Sequence, residues 1–161
     1  MMTIRTANPA DAAAIWSILR PVFRAGETYA ISRDIDEVDA VAYWCGHKHE
    51  TFVAEDGGDI LGTYYLRENQ AGGGNHVANC GYMTASKAQG RGIARRMLEH
   101  SLVRAKERGF RALQFNFVVS TNERAIRTWE AYGFQKVGCI PLGFQHPALG
   151  LVDAFVMHRQ L

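Results

Sequence analysis

Between a strand-like run that ends at Thr84 and a long helical pattern that begins near Ile93, the chain reads Ala88-Gln89-Gly90-Arg91-Gly92-Ile93-Ala94-Arg95. Two glycines and a small residue stand where the helix starts. Glycine permits a tight turn and a close backbone approach to a ligand. The first N–H groups of a helix have no intrahelical partner and carry the positive end of its dipole. A strand–turn–helix of this composition is suited to a phosphate or pyrophosphate. The same turn without a ligand is a tight structural connection. A Walker A loop needs Gly-Lys-Ser/Thr, which is absent. In a dinucleotide fingerprint the third glycine would fall on Arg95, and the unit is not the first strand–helix pair. Nucleoside-triphosphate and dinucleotide binding both fail on residues.

The surrounding pattern is that of an ordinary globular chain. The 161 residues are 47% hydrophobic and 21% charged, enough for one domain with its own core and against disorder. Lys and Arg number 18 against 16 Asp and Glu, a net +2 that gives no electrostatic case for nucleic acid. Cys45, Cys80 and Cys139 are odd in number and widely spaced, so reduced thiols are expected rather than a disulfide framework or a zinc site. The start of the chain has no apolar signal-like region, and no apolar run is long enough for a membrane span. A cytoplasmic protein without membrane or nucleic-acid partners is expected.

Period and punctuation predict the elements. Met2 to Ala7 reads as a strand. Asn8-Pro9-Ala10-Asp11 opens a helix, with a cap, a first-turn proline and an acid at the positive end. Ile15, Ile18, Leu19 and Val22 give that helix a core face. Residues 24–33 are irregular, and Asp34 to Cys45 reads as a shorter helix. Thr51 to Ala54 and Ile60 to Arg67 flank Asp56-Gly57-Gly58-Asp59, a hairpin turn. Ala71 to Asn75 is a loop and His76 to Thr84 a strand. Ile93 to Arg108 is amphipathic, and Gly109 closes it. Ala112 to Val119 is a strand, Asn122 to Tyr132 a helix, and Phe134 to Ile140 and Leu151 to Arg159 strands. Pro141 to Gly150 is expected as a long loop. Three successive strands before the long helix break strict α/β alternation. The expectation is a mixed sheet with helices on its faces.

Gln89, Gly92 and Ala94 fit the acyl-CoA signature [QR]-x-x-G-x-[GA]. Asn122-Glu123-Arg124-Ala125 and Tyr132-Gly133-Phe134 fit a second block some thirty residues on. With Gly81-Tyr82-Met83-Thr84 before the turn, the chain resembles the GCN5-related N-acetyltransferases (GNAT) over nearly its whole length. The resemblance implies an α+β acyl-CoA N-acyltransferase fold, with a mixed, mostly antiparallel sheet of six to seven strands and about four helices. It implies acetyl-CoA as co-substrate, without a metal, held where two strands splay apart. Met83 and Thr84 would pair with the pantetheine amides. The amides of Gln89, Gly90, Arg91, Gly92, Ile93 and Ala94 would surround the pyrophosphate, with charge from Arg91 or Arg95. A backbone N–H near Met83 would polarise the thioester carbonyl. Asn122 matches the asparagine that reaches the cofactor, although Ser120-Thr121-Asn122-Glu123 also reads as a capping box.

Two positions depart from the family pattern. Ser86 stands where proline is common. Trp129 stands where many relatives carry the tyrosine that protonates the leaving thiolate, and an indole N–H is no usable acid. Tyr132 is the nearby substitute, with helix packing as its other reading. Amine attack needs a neutral nucleophile. An ordinary lysine-like amine is almost wholly protonated near neutral pH. Glu27, Glu68 and His76 are the candidate bases. Glu27 and Tyr29, in the loop after the first helix, are the expected acceptor contacts, with His146 from the late loop. A ping-pong route through Cys80 lacks a visible partner, and His47 and His49 lack the carboxylate company of a metal site. The implied activity is acetyl transfer to a small-molecule amine, with a homodimer possible. Acetylation of a protein N-terminus or lysine, and a non-catalytic acyl-CoA-binding module, are the alternatives.

Overall fold

A computed structural model describes residues 1–161. The strands are β1 (Thr3–Thr6), β2 (Glu50–Asp56), β3 (Asp59–Glu68), β4 (Val77–Thr84), β5 (Ala112–Val119), β6 (Gln135–His146) and β7 (Gly150–Gln160). The helices are α1 (Ala12–Ala25), α2 (Glu37–Trp44), α3 (Ile93–Glu107) and α4 (Glu123–Ala131). The seven strands form one sheet in the order β1-β2-β3-β4-β5-β7-β6. Every neighbouring pair is antiparallel except β4 and β5. The mixed sheet agrees with the element order, and its mostly antiparallel pairing with four helices is the architecture the family resemblance implies.

Local signals explain the helix starts. Asn8 caps the turn into α1: its side chain accepts from the Ala10 N–H, while Asp11 accepts from the Asn8 N–H. Helix α2 begins at Glu37 rather than Asp34, because Asp36 accepts from the Asp39 N–H and fixes the start there. The apolar stripe of α3, with Met97, Leu98 and Ala105 fully buried, packs on β3 and β4.

The two faces of the sheet are separated by strand alternation. Tyr64 and Tyr82 face α3, where they bond His100 Nδ1 (2.7 Å) and Ser101 Oγ (2.6 Å). Thr63 faces the opposite way, and its Oγ1 accepts from the Trp44 indole of α2 at 3.0 Å. Tyr65 and Arg67 share the Thr63 face.

One segment differs from expectation. Pro141 to His146 is strand rather than loop, continuing β6 to a short hairpin into β7. The pairing shifts register between Ile140 and Phe144, and Leu142 takes φ +50°. This irregularity, with Pro141 inside it, interrupts the period-two pattern that marks a strand in sequence.

Candidate active site

Strands β4 and β5 pair only at Val77–Ala112 and Ala78–Leu113 and then diverge. On its other side β5 slips register against β7 between Phe115 and Val118, leaving Asn116 and Phe117 outside the ladder. Such a bulge bends a strand. The divergence opens a groove of about 980 Å³ through the sheet, lined from α1–α2, β3, β4, the start of α3, β5 and α4.

Backbone pairing shows which groups of β4 are free. The Ala85 N–H bonds Leu61 of β3, and the Val77 carbonyl also points to that side. The His76 carbonyl points to the β5 side, and the Tyr82 carbonyl accepts the Tyr29 hydroxyl at 3.0 Å. Since N–H and C=O of one residue share a side and successive residues alternate, Tyr82 and Thr84 present their backbone to the gap. Met83 directs its backbone to β3 and lines the groove with its buried side chain. The backbone donor near Met83 expected from the sequence is therefore a neighbour's.

The other end of the groove is the turn into α3. Gly90 and Gly92 take φ of +78° and +76°, a region that strains other residues. The N–H groups of Gly90, Gly92, Ile93, Ala94 and Arg95 have no protein acceptor, and no side chain caps the helix. Space beside both glycines is open. Five free backbone donors at a helix N-terminus fit a pyrophosphate. Gln89, Gly90, Gly92, Ile93, Ala94 and Arg95 line the groove, whereas the Arg91 guanidinium turns away to Asp56 at 3.3 Å.

Asn122 lines the groove as the residue capping α4, but its side chain makes no capping bond; only its carbonyl accepts, from Ile126. The capping box is not formed, as the Ser120 N–H bonds Asp153 instead. Trp129 packs at tilted angles against Tyr82, Phe115 and Phe134, and its ring lines the groove with Tyr82 and Phe115. Tyr132 also lines the groove. Its hydroxyl donates to Glu99 Oε1 at 2.6 Å, and the carboxylate holds the phenol above its ordinary pKa. Cys80 is buried on the wall, and burial pushes its thiol up to about 12. It is a protonated thiol rather than a nucleophile.

The acceptor contacts are divided. Tyr29 lies on the groove, with Tyr43 and Tyr65 beside it; the last two hydroxyls are 3.4 Å apart. Glu27 is exposed and outside the lining, as is Glu68. His76 is exposed beyond the closed end of the splay. His146 sits on the β6–β7 hairpin, where its Nδ1 accepts from the Ala148 and Leu149 N–H groups. His49 stacks on Tyr65, and its Nδ1 bonds the Trp44 carbonyl. No carboxylate lines the groove; its charged residues are Arg67, Arg95, Arg124 and Arg127.

Sequence patterns alone do not single out Arg67, Tyr43, Tyr65, Asn79, Asn116, Arg124 or Arg127. Arg124 and Arg127 stand three apart on α4, a same-face spacing. Tyr65 and Arg67 share a strand face by alternation, but nothing in the sequence says that this face borders the gap.

A family model described as the acetyltransferase (GNAT) family matches residues 12–134. The chain belongs to this family. A GNAT N-acetyltransferase from Kribbella flavida has the same fold at TM-score 0.94 and 39% identity, covering 99% of this chain and 98% of its own. A phosphinothricin acetyltransferase from Sinorhizobium meliloti, solved with acetyl-CoA, matches at TM-score 0.87 and 22% identity, over 99% of this chain and 88% of its own. The N-acetyltransferase aca1 of Schizosaccharomyces pombe is 33% identical over 98 residues, 60% of this chain and 47% of that protein. The chain thus spans about half the length of this curated relative. No helix is long and apolar enough to cross a membrane.

Proposed function

We propose that this GNAT protein transfers acetyl from acetyl-CoA to the primary amine of a small molecule, an amino acid or amino-acid analogue, through a ternary complex. The observation that carries the reading is the continuity of one groove. It runs from five unpartnered backbone donors at α3, along the free edge of β4, to the tyrosines beneath α1 and α2.

When bound, acetyl-CoA supplies an activated acetyl whose C–S bond breaks as the acceptor's C–N bond forms. The amides of Gly90, Gly92, Ile93 and Ala94 hold the pyrophosphate, with Arg95 adding charge and Asn122 reaching the cofactor. Thr84 and Tyr82 pair with the pantetheine in the manner of an added strand, and a β4 N–H facing the gap stabilises charge on the carbonyl oxygen. Tyr132 gives a proton to the departing thiolate. Glu27, His76 and His146 stand off the groove and receive no step. With no carboxylate at hand, the amine's proton leaves to water. The arginine-lined groove disfavours the ammonium form and so assists that loss. Tyr29 borders the acceptor.

The test has two parts. Acetyl-CoA raises the melting temperature, and free thiol appears with small amino-acid-like amines but not with peptides carrying a free N-terminus or lysine. Turnover on peptides alone selects the protein-acceptor reading. A shift without turnover on any amine selects a binding module.

A further inference from the structure

We propose that Arg67 is the anion-recognising residue of the acceptor site, so that the amine accepted here carries an acidic group, a carboxylate or a phosphorus oxyacid. This rests on the transferase reading above and specifies its substrate.

Arg67 is half-buried on β3, opposite Asn79 of β4 in register. Its Nε donates to Asn79 Oδ1 at 3.1 Å, and Asn79 Nδ2 donates to the Gln114 carbonyl at 2.9 Å. The guanidinium is thereby fixed through one nitrogen. Its two terminal nitrogens have neither a carboxylate nor any other protein acceptor, and the residue borders the groove. A planar fork held this way matches an oxyanion with two bonds.

The cofactor does not account for this charge. Arg95, Arg124 and Arg127 are exposed and sit on α3 and α4, beside the turn suited to phosphate. Arg67 shares the strand face of Thr63, which bonds α2, and so opens on the opposite side of the sheet. There its groove neighbours are Tyr29, Tyr43, Tyr65, Asn79 and Asn116. A half-buried cation without an anion is unfavourable. The unpartnered fork and the carboxylate-free lining both call for an anion brought by the substrate.

The experiment compares glutamate, its side-chain amide glutamine, its α-amide isoglutamine and a phosphonate analogue of glutamate. Each is measured by thermal shift, with and without acetyl-CoA, and by thiol release. Proteins are wild type, Arg67→Gln and Arg67→Lys. At least one acid is expected to stabilise the wild type and to exceed the matching amide in kcat/KM by roughly 10- to 100-fold. The two amides show whether the α or the distal anion is read. Arg67→Gln is expected to erase the preference chiefly through KM while keeping the acetyl-CoA shift, and Arg67→Lys to restore part of it. The inference is overturned if acids and amides are used or bound alike, if no acid stabilises the protein, or if Arg67→Gln keeps the preference. Loss of the acetyl-CoA shift in the wild type instead sinks the transferase reading, independently of the acid arms run without cofactor.

Discussion

The Tyr132 hydroxyl donates a 2.6 Å hydrogen bond to the Glu99 carboxylate, joining the end of α4 to α3 beside the groove. This places an acid of raised pKa near the position that Trp129 vacates in function. Tyr132→Phe is expected to lower kcat by roughly 10- to 100-fold, at or below the lower end of the usual general-acid contribution because a thiolate leaves readily. The acetyl-CoA KM should stay within about twofold. Glu99→Gln removes the group that favours the protonated phenol, so the basic limb of the kcat profile moves to lower pH. An unchanged limb in Glu99→Gln, or full kcat in Tyr132→Phe, assigns the proton to water.

Gly81 on β4 lies under the Tyr65 ring. A Cβ built there would stand 2.5 Å from Tyr65 Cε2 and 2.9 Å from Cζ. Gly81→Ala must therefore push the ring into the groove or sideways against Tyr43. A loss of about 1–3 kcal/mol in stability is expected from this overpacking. The acceptor KM should rise more than the acetyl-CoA KM, since Tyr65 is on the α2 side. Adding Tyr65→Ala should recover part of the stability in a double-mutant cycle. Additive losses would show that the ring is not the obstacle.

Much of the candidate groove is legible in sequence because the end proposed for the cofactor is written locally. Gln89 to Ala94 announce the turn by glycine and position in one short stretch, and Asn122 and Tyr132 follow in a second block. Arg91 departs from that expectation because a residue within the right turn can still send its side chain elsewhere, here to Asp56. The end proposed for the acceptor is assembled from distant segments. Tyr29, Tyr65, Asn79 and Asn116 meet only after β3 pairs with β4 and β5 splays, so no local pattern joins them. Glu27 shows the converse: two residues from Tyr29, it faces solvent. The β6 extension is hidden because Pro141 and the shifted register at Ile140–Phe144 break alternation without ending the strand.

Gly92 gives a test of the phosphate turn that separates strain from binding. Its φ is +76°, and a methyl group placed on its Cα would meet nothing within 4 Å; Gly58, in the β2–β3 turn, has φ +88° and equally open space. Alanine at either position should cost about 1–2 kcal/mol of stability through backbone strain alone. Only Gly92→Ala should weaken acetyl-CoA, raising its KM by roughly 10-fold or more, because the ligand approaches the backbone there. If the two variants bind acetyl-CoA equally well, the turn is not the pyrophosphate site.

Arg5 and Asp11 set an acid dependence far from the groove. Arg5 Nη1 and Nη2 reach Asp11 Oδ2 and Oδ1 at 2.8 and 3.0 Å, while Nε donates to Glu55 at 2.6 Å. The guanidinium holds the buried Asp11 carboxyl below its ordinary value of 3.8, against the opposing effect of burial, and the Asn8 N–H helps. A carboxylate with a depressed folded pKa stabilises the fold above its unfolded value. That contribution fades as pH drops below about 4 and through the lower folded value. Arg5→Met should therefore cost about 1 kcal/mol at pH ~7, a figure kept small because Arg5 is 37% exposed. The difference from wild type should shrink at pH ~3, where protonation of Asp11 begins to weaken in the wild type a pair that the variant already lacks. Denaturant titrations at the two pH values measure it, and an equal loss at both would mean that Arg5 acts through packing rather than charge.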